Sequence, residues 1–164
     1  MLIGMIVATI ATILDQISKA LVFGYMSEQS NVVEITPFFN LVIAWNTGVS
    51  FSMFNNLGNA GIYILSGFAL IVAFFLLCWL KNEKSHYMQV ALGLVIGGAI
   101  GNVIDRIRLG AVYDFLDIHI KSHHWPAFNL ADSFICIGAM MIICDSLFNN
   151  KCTKSPNFNE GLDK

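Results

Sequence analysis

Charge is what this chain has least of. Only 12% of its 164 residues are Asp, Glu, Lys or Arg, and the nine basic ones are scattered rather than grouped. No basic patch exists to hold phosphate, so a nucleic-acid partner is excluded. The four cysteines, Cys78, Cys136, Cys144 and Cys152, have no C-x-x-C spacing. The first three lie in apolar runs, where thiols serve as small buried hydrophobes, which argues against both a disulfide framework and a zinc site. No repeat of fixed period is visible, and biased composition is confined to the polar tail 149–164. What remains is apolar: 56% hydrophobic residues and a mean hydropathy of +0.67 describe a membrane protein rather than a soluble domain.

The apolar residues fall into four runs, near 1–23, 60–80, 87–104 and 130–148. The second is free of charge, and at 1.5 Å per residue its length matches a bilayer core of about 30 Å. The first lacks a basic leader and an A-x-A-like cleavage site, so it reads as a retained helix rather than a signal peptide. Within it, Asp15 and Lys19 stand four apart on one helical face and can pair near lipid. A purely structural ion pair is the plainer reading of those two. The third run carries Gly93, Gly97 and Gly101 at every fourth position, a small-residue ridge that lets another helix approach closely. Between the first and second runs, 24–57 turns mixed and aromatic, with pieces such as 31–35 and 38–44 that read as short strands. The expected architecture is therefore one α-helical domain over 1–148, with four transmembrane helices and a small extracytoplasmic β-rich segment between the first two. Lys81, Lys84, Lys151 and Lys154 place the short second loop and both termini in the cytoplasm by the positive-inside rule.

That parity brings the end of the first helix, the end of the third and the start of the fourth to one outer face. Asp15, Asp105, Asp114 and Asp132 then converge there with Asn46, Asn102 and Asn129. Ionisable residues at the hydrocarbon edge are unfavourable unless paired, hydrated or used, so the cluster is a candidate site. Asp117 reads as a solvated loop carboxylate. Two other classes compete at this point. A proton or ion transporter would string carboxylates across the membrane, whereas the middles of these runs are uncharged. A metal-dependent hydrolase would draw on Asp114, Asp117, His119, His123 and His124, but there is no H-E-x-x-H and His123–His124 reads as loop.

The motifs at these positions resemble the lipoprotein signal peptidases (signal peptidase II), aspartic peptidases of bacterial inner membranes. They are DQISK at 15–19, NTG at 46–48 with Phe51, GGAIGNVIDR at 97–106, VYDF around Asp114 and FNLADS at 128–133. Trp45, Val49 and Ser50 depart from the pattern of many relatives, and nothing after Phe148 matches it. The resemblance implies Asp114 and Asp132 as the catalytic pair. It implies supporting or substrate-binding roles for Asp15, Lys19, Asn46, Gly48, Gly101, Asn102, Asp105, Arg106, Asn129 and Ala131, with Arg106 holding Asp105 or another carboxylate. It further implies a diacylglyceryl-modified prolipoprotein as substrate, cut before its lipidated cysteine, with no metal, cofactor or obligate protein partner. Phe38, Phe39, Trp45 and Phe51 offer an aromatic face for membrane lipid or a lipid-bearing substrate, with interface anchoring the simpler role for each. Chemically, two crowded carboxylates share one proton, so one can take a proton from water while the other donates to the scissile carbonyl.

Overall fold

The computed structural model describes residues 1–29, 31–48 and 59–149, with the side chains of Asn59 and Asn149 excepted. Val49, Ser50, Phe51, Cys152 and the tail lysines 151 and 154 lie outside the described residues. In chain order the elements are α1 (Leu2–Ser27), β1 (Val32–Thr36), β2 (Phe39–Asn46), α2 (Asn59–Asn82), α3 (His86–Leu109), β3 (Val112–Ile120), β4 (His123–His124) and α4 (Leu130–Asn149). All four helices are long and apolar enough to cross a membrane, which bears out the expected class.

Helix α3 is the centre of the bundle. Its apolar window is 67% buried, against 22%, 17% and 11% for α1, α2 and α4, which pack around it. The glycine ridge explains how. A Cβ on Gly93 would meet Gly4 O and Val7, one on Gly97 would meet Ala8 O and Ala11, and one on Gly101 would meet the Asp15 carboxylate. Because both sets of numbers rise together, α1 and α3 run in the same direction at backbone contact. On the opposite side Gly98 faces Ala131 and Ile135, while Gly138 faces Ala91 and Val95, so α4 runs antiparallel. The outward faces carry the large apolar side chains, including Ile6, Ile10, Ile13 and Ile17 on α1 and Phe68, Phe74 and Phe75 on α2. Those faces suit hydrocarbon rather than water.

One end of the bundle carries an antiparallel sheet in the order β1-β2-β3-β4. Here the placement of the strands differs from the expectation. The segment between α1 and α2 supplies only β1 and β2, and the connection from α3 to α4 supplies the other two. Gly110, at φ 75°, caps α3 in the left-handed region and turns the chain straight into β3. Strand β3 then pairs along β2, because an unpaired strand edge is satisfied by the next extended segment within reach. His123–His124, read as loop from the sequence, pairs with His119–Ile120 as the short β4. A bulge in β2 between Leu41 and Ala44 shifts the register, with Leu41 opposite Leu116 and Ala44 opposite Asp114. Tyr113 joins the sheet to α1: its ring centroid is 5.5 Å from that of Phe23 and 5.4 Å from that of Trp45.

Candidate active site

Asp114 sits on β3 and Asp132 in the first turn of α4, and Asn129 ties them together. Asn129 is the cap of α4. Its Oδ1 accepts from the Asp132 amide at 3.0 Å, and its own amide donates to Asp132 Oδ2 at 3.2 Å, a reciprocal capping box. Its Nδ2 meanwhile donates to Asp114 Oδ1 at 2.6 Å. One residue thus fixes the helix terminus and binds both carboxylates, Asp114 through its side-chain amide and Asp132 through its backbone N–H. The second Asp114 oxygen accepts from Asn46 Nδ2 at 3.0 Å, and Asn46 Oδ1 accepts from the Gly48 amide at 3.1 Å. Asp132 Oδ1 accepts from Asn102 Nδ2 at 2.8 Å.

The two carboxylates are not equivalent. Asp114 is 2% exposed, and burial, with the repulsion of Asp132 added, raises its pKa from 3.8 to about 6; the amides of Asn46 and Asn129 oppose the rise. Asp132 is only partly buried, at a helix N-terminus, where a carboxylate meets the positive end of the macrodipole.

Behind the pair lies a second charged group, centred on Lys19. Its ammonium is 2.9 Å from Asp15 Oδ2 and 2.7 Å from Asp105 Oδ2. Asp15 also accepts from the Ala131 amide at 3.0 Å, and Asp105 from the Tyr113 amide at 3.3 Å. Gly101 has no side chain because Asp15 occupies the space a Cβ would need. The structure therefore brings Asp15, Lys19, Asn46, Gly48, Gly101, Asn102, Asp105, Asn129 and Ala131 into one hydrogen-bonded assembly with the pair.

Comparison with known proteins shows which family carries this fold. The sequence model of the signal peptidase (SPase) II family matches residues 7–148. The chain belongs to the signal peptidase II family. A lipoprotein signal peptidase of Rhodopseudomonas palustris (strain ATCC BAA-98 / CGA009) is 37% identical over 94% of this chain and 97% of its own. One of Teredinibacter turnerae (strain ATCC 39867 / T7901) is 45% identical over 90% and 89%. A solved bacterial membrane enzyme, determined by the in meso method at 2.3 Å resolution, superposes with a TM-score of 0.78. It is 27% identical and covers 98% of this chain and 94% of its own. Membership makes this chain a multi-pass membrane protein and a hydrolase, one of the membrane aspartic peptidases.

Within that family frame, three residues stand differently from the expectation. Arg106 does not hold Asp105, since Lys19 takes that carboxylate. The guanidinium instead donates to the carbonyl oxygens of Asn102 and Gly48, each at 3.4 Å. Asp117 is not solvated: it is 6% exposed on β3, accepts from Asn40 Nδ2 at 3.0 Å and meets His124 Nδ1 at 2.9 Å. Strand pairing with β2 and β4 buries it. Gln16, passed over within the first motif, bridges Asp105 at 2.9 Å and Asp15 at 3.2 Å. Its place one residue after Asp15, with Lys19 four after Asp15, was the available signal. Beside the pair, a cavity of about 350 Å³ opens between α2 and α4, with Asn46, Asn102, Arg106 and Asp132 at its polar end and Phe68, Val72, Val95 and Ile135 along its wall.

Proposed function

We propose that this chain is the aspartic endopeptidase that removes the signal peptide from diacylglyceryl-modified prolipoproteins, cutting just before the lipidated cysteine. The observation that carries the reading is the pairing of Asp114 and Asp132 through Asn129, with Asp132 at the polar end of a cavity whose walls are apolar. Asp114, the deeply buried member whose pKa is raised to about 6, donates the shared proton to the scissile carbonyl oxygen when it carries it. Asp132 faces the cavity and takes a proton from the attacking water. Water adds to the carbonyl carbon, the tetrahedral intermediate collapses, and the amine leaves with a proton returned through the pair. No covalent enzyme intermediate forms. Asn46 and Asn102, each bonded to one carboxylate, keep the two acids oriented as the proton moves. The gap between α2 and α4 admits a lipid-bearing substrate sideways from the bilayer.

The placement is the inner membrane of a bacterium, with both termini cytoplasmic and the site near the outer face. Lys81 and Lys84 flank the α2–α3 turn at the opposite end of the bundle from the sheet, in line with the positive-inside rule. The Met1 amine donates to Gln89 at 2.8 Å, so the N-terminus shares that end. Purified protein incubated with a lipid-modified precursor, and with the same precursor lacking diacylglycerol, tests the proposal. Cleavage of the modified form alone is expected, and cleavage of neither refutes it.

A further inference from the structure

We infer that Lys19 is the positioning residue of the catalytic pair, holding the mounts of both aspartates on a single ammonium; the inference rests on the peptidase reading above. The ammonium has three N–H donors and three acceptors in place: Asp15 at 2.9 Å, Asp105 at 2.7 Å and Asn102 Oδ1 at 3.3 Å. Each acceptor leads to the pair. Asp15 accepts the amide of Ala131, the residue before Asp132. Asp105 accepts the amide of Tyr113, the residue before Asp114. Asn102, its oxygen turned toward the ammonium, presents its Nδ2 to Asp132 at 2.8 Å.

The same device thus appears twice. A carboxylate on a membrane helix grips the backbone one residue ahead of a catalytic aspartate, once at the start of α4 and once in β3. Those two elements come from separate parts of the chain, and one cation joins their grips. Lys19 is 5% exposed, with Asp15 at 0% and Asp105 at 3%, so the group is screened from solvent and lies outside the lining of the cavity beside the pair. An ion pair needed only to neutralise charge on α1 would be complete with Asp15. The reach to Asp105 and Asn102 is what makes the ammonium a link between mounts. Because the ammonium can only donate, it also fixes which way the Asn102 amide points.

The test is steady-state cleavage of lipid-modified precursor in detergent by the parent, Lys19→Met, Asp105→Ala and Asp105→Asn, with kcat expressed per folded molecule. Lys19→Met leaves two buried carboxylates unneutralised and puts folding at risk, which is why the Asp105 variants are measured beside it. Asp105→Ala removes the grip on Tyr113 and should lower kcat about a hundredfold, with KM changed by less than about twofold. Asp105→Asn keeps an oxygen for the Tyr113 amide and should recover about tenfold of that loss. The pH profile carries the decisive signature. When the mounts loosen, the aspartates drift apart and repel less, so their two apparent pKa values approach and the bell narrows. If kcat per folded molecule and both limbs of the bell match the parent while only yield falls, or if KM alone rises, the positioning role is wrong. A parent that cleaves nothing overturns the peptidase reading itself, and the positioning role with it.

Discussion

Replacing Asp114 by Asn should make the protein more stable while abolishing turnover. The physical reason is that Asp114 is folded into a place that disfavours its charge. Its carboxyl is 2% exposed, and its pKa rises from 3.8 to about 6. At 1.36 kcal/mol per unit, the ionised form above pH 6 weakens the folded state by about 3 kcal/mol. The amide carries no charge, so this burden disappears. Against it stands one hydrogen bond: Asn46 and Asn129 both present Nδ2 to Asp114, and an amide side chain can accept from only one of them with its single oxygen. Losing the other removes about 1 kcal/mol. The net gain is about 2 kcal/mol, or a rise in Tm of about 4–8 °C for a chain of this size. Thermal unfolding in detergent, followed by tryptophan fluorescence, reads it directly. The sign with pH follows from linkage. A folded-state pKa above the unfolded value means that protonation stabilises the parent as pH falls through about 6, so the advantage of Asp114→Asn should be full at pH 7.5 and largely gone by pH 4. Asp132→Asn and the double variant should be equally inactive, because residues that act as one unit do not add in their loss. A variant that is less stable than the parent at pH 7.5, or whose advantage is independent of pH, would show that Asp114 is not a strained buried acid. Retained turnover would remove it from the pair.

Other outcomes follow from the packing and the topology. Gly97→Ala places a Cβ 2.5 Å from the Ala8 carbonyl oxygen on the backbone of α1, and should destabilise by about 1–3 kcal/mol as the helices are forced apart. Gly24→Ala meets nothing within 4 Å and should stabilise by about 0.5–1 kcal/mol, so the same melts distinguish the contact from the glycine itself. A cysteine at Ser122 should react with an impermeant thiol reagent from outside intact cells and one at Lys84 only after permeabilisation. The reverse labelling would invert the orientation. Cleavage should survive chelation of divalent ions, since two carboxylates supply both proton transfers; loss of activity restored by zinc would instead implicate the histidines of β3 and β4.

What the sequence determined by itself was everything that depends on local composition and spacing. The oily runs predicted the four helices because a spanning helix needs only length and hydrophobicity, and the glycines at every fourth position of α3 predicted a close helix contact. The motifs carrying Asp114 and Asp132 pointed to a pair, by resemblance to a family rather than by geometry. Asp15 and Lys19 were legible as an i,i+4 pair because a helix fixes their separation. Partners distant in the chain were not. Nothing in DQISK says that Lys19 reaches Asp105 and Asn102, that Asp15 grips Ala131, or that Arg106 gives up Asp105 to a lysine far earlier in the chain. Asp117 looked solvated because its neighbours in sequence are compatible with a loop, and it became buried only when β3 paired with β2 and brought Asn40 to it. Hydrogen bonds and ion pairs act over a few ångströms, so for groups far apart along the chain it is the packing of α1, α3, α4 and the sheet that decides which of them meet.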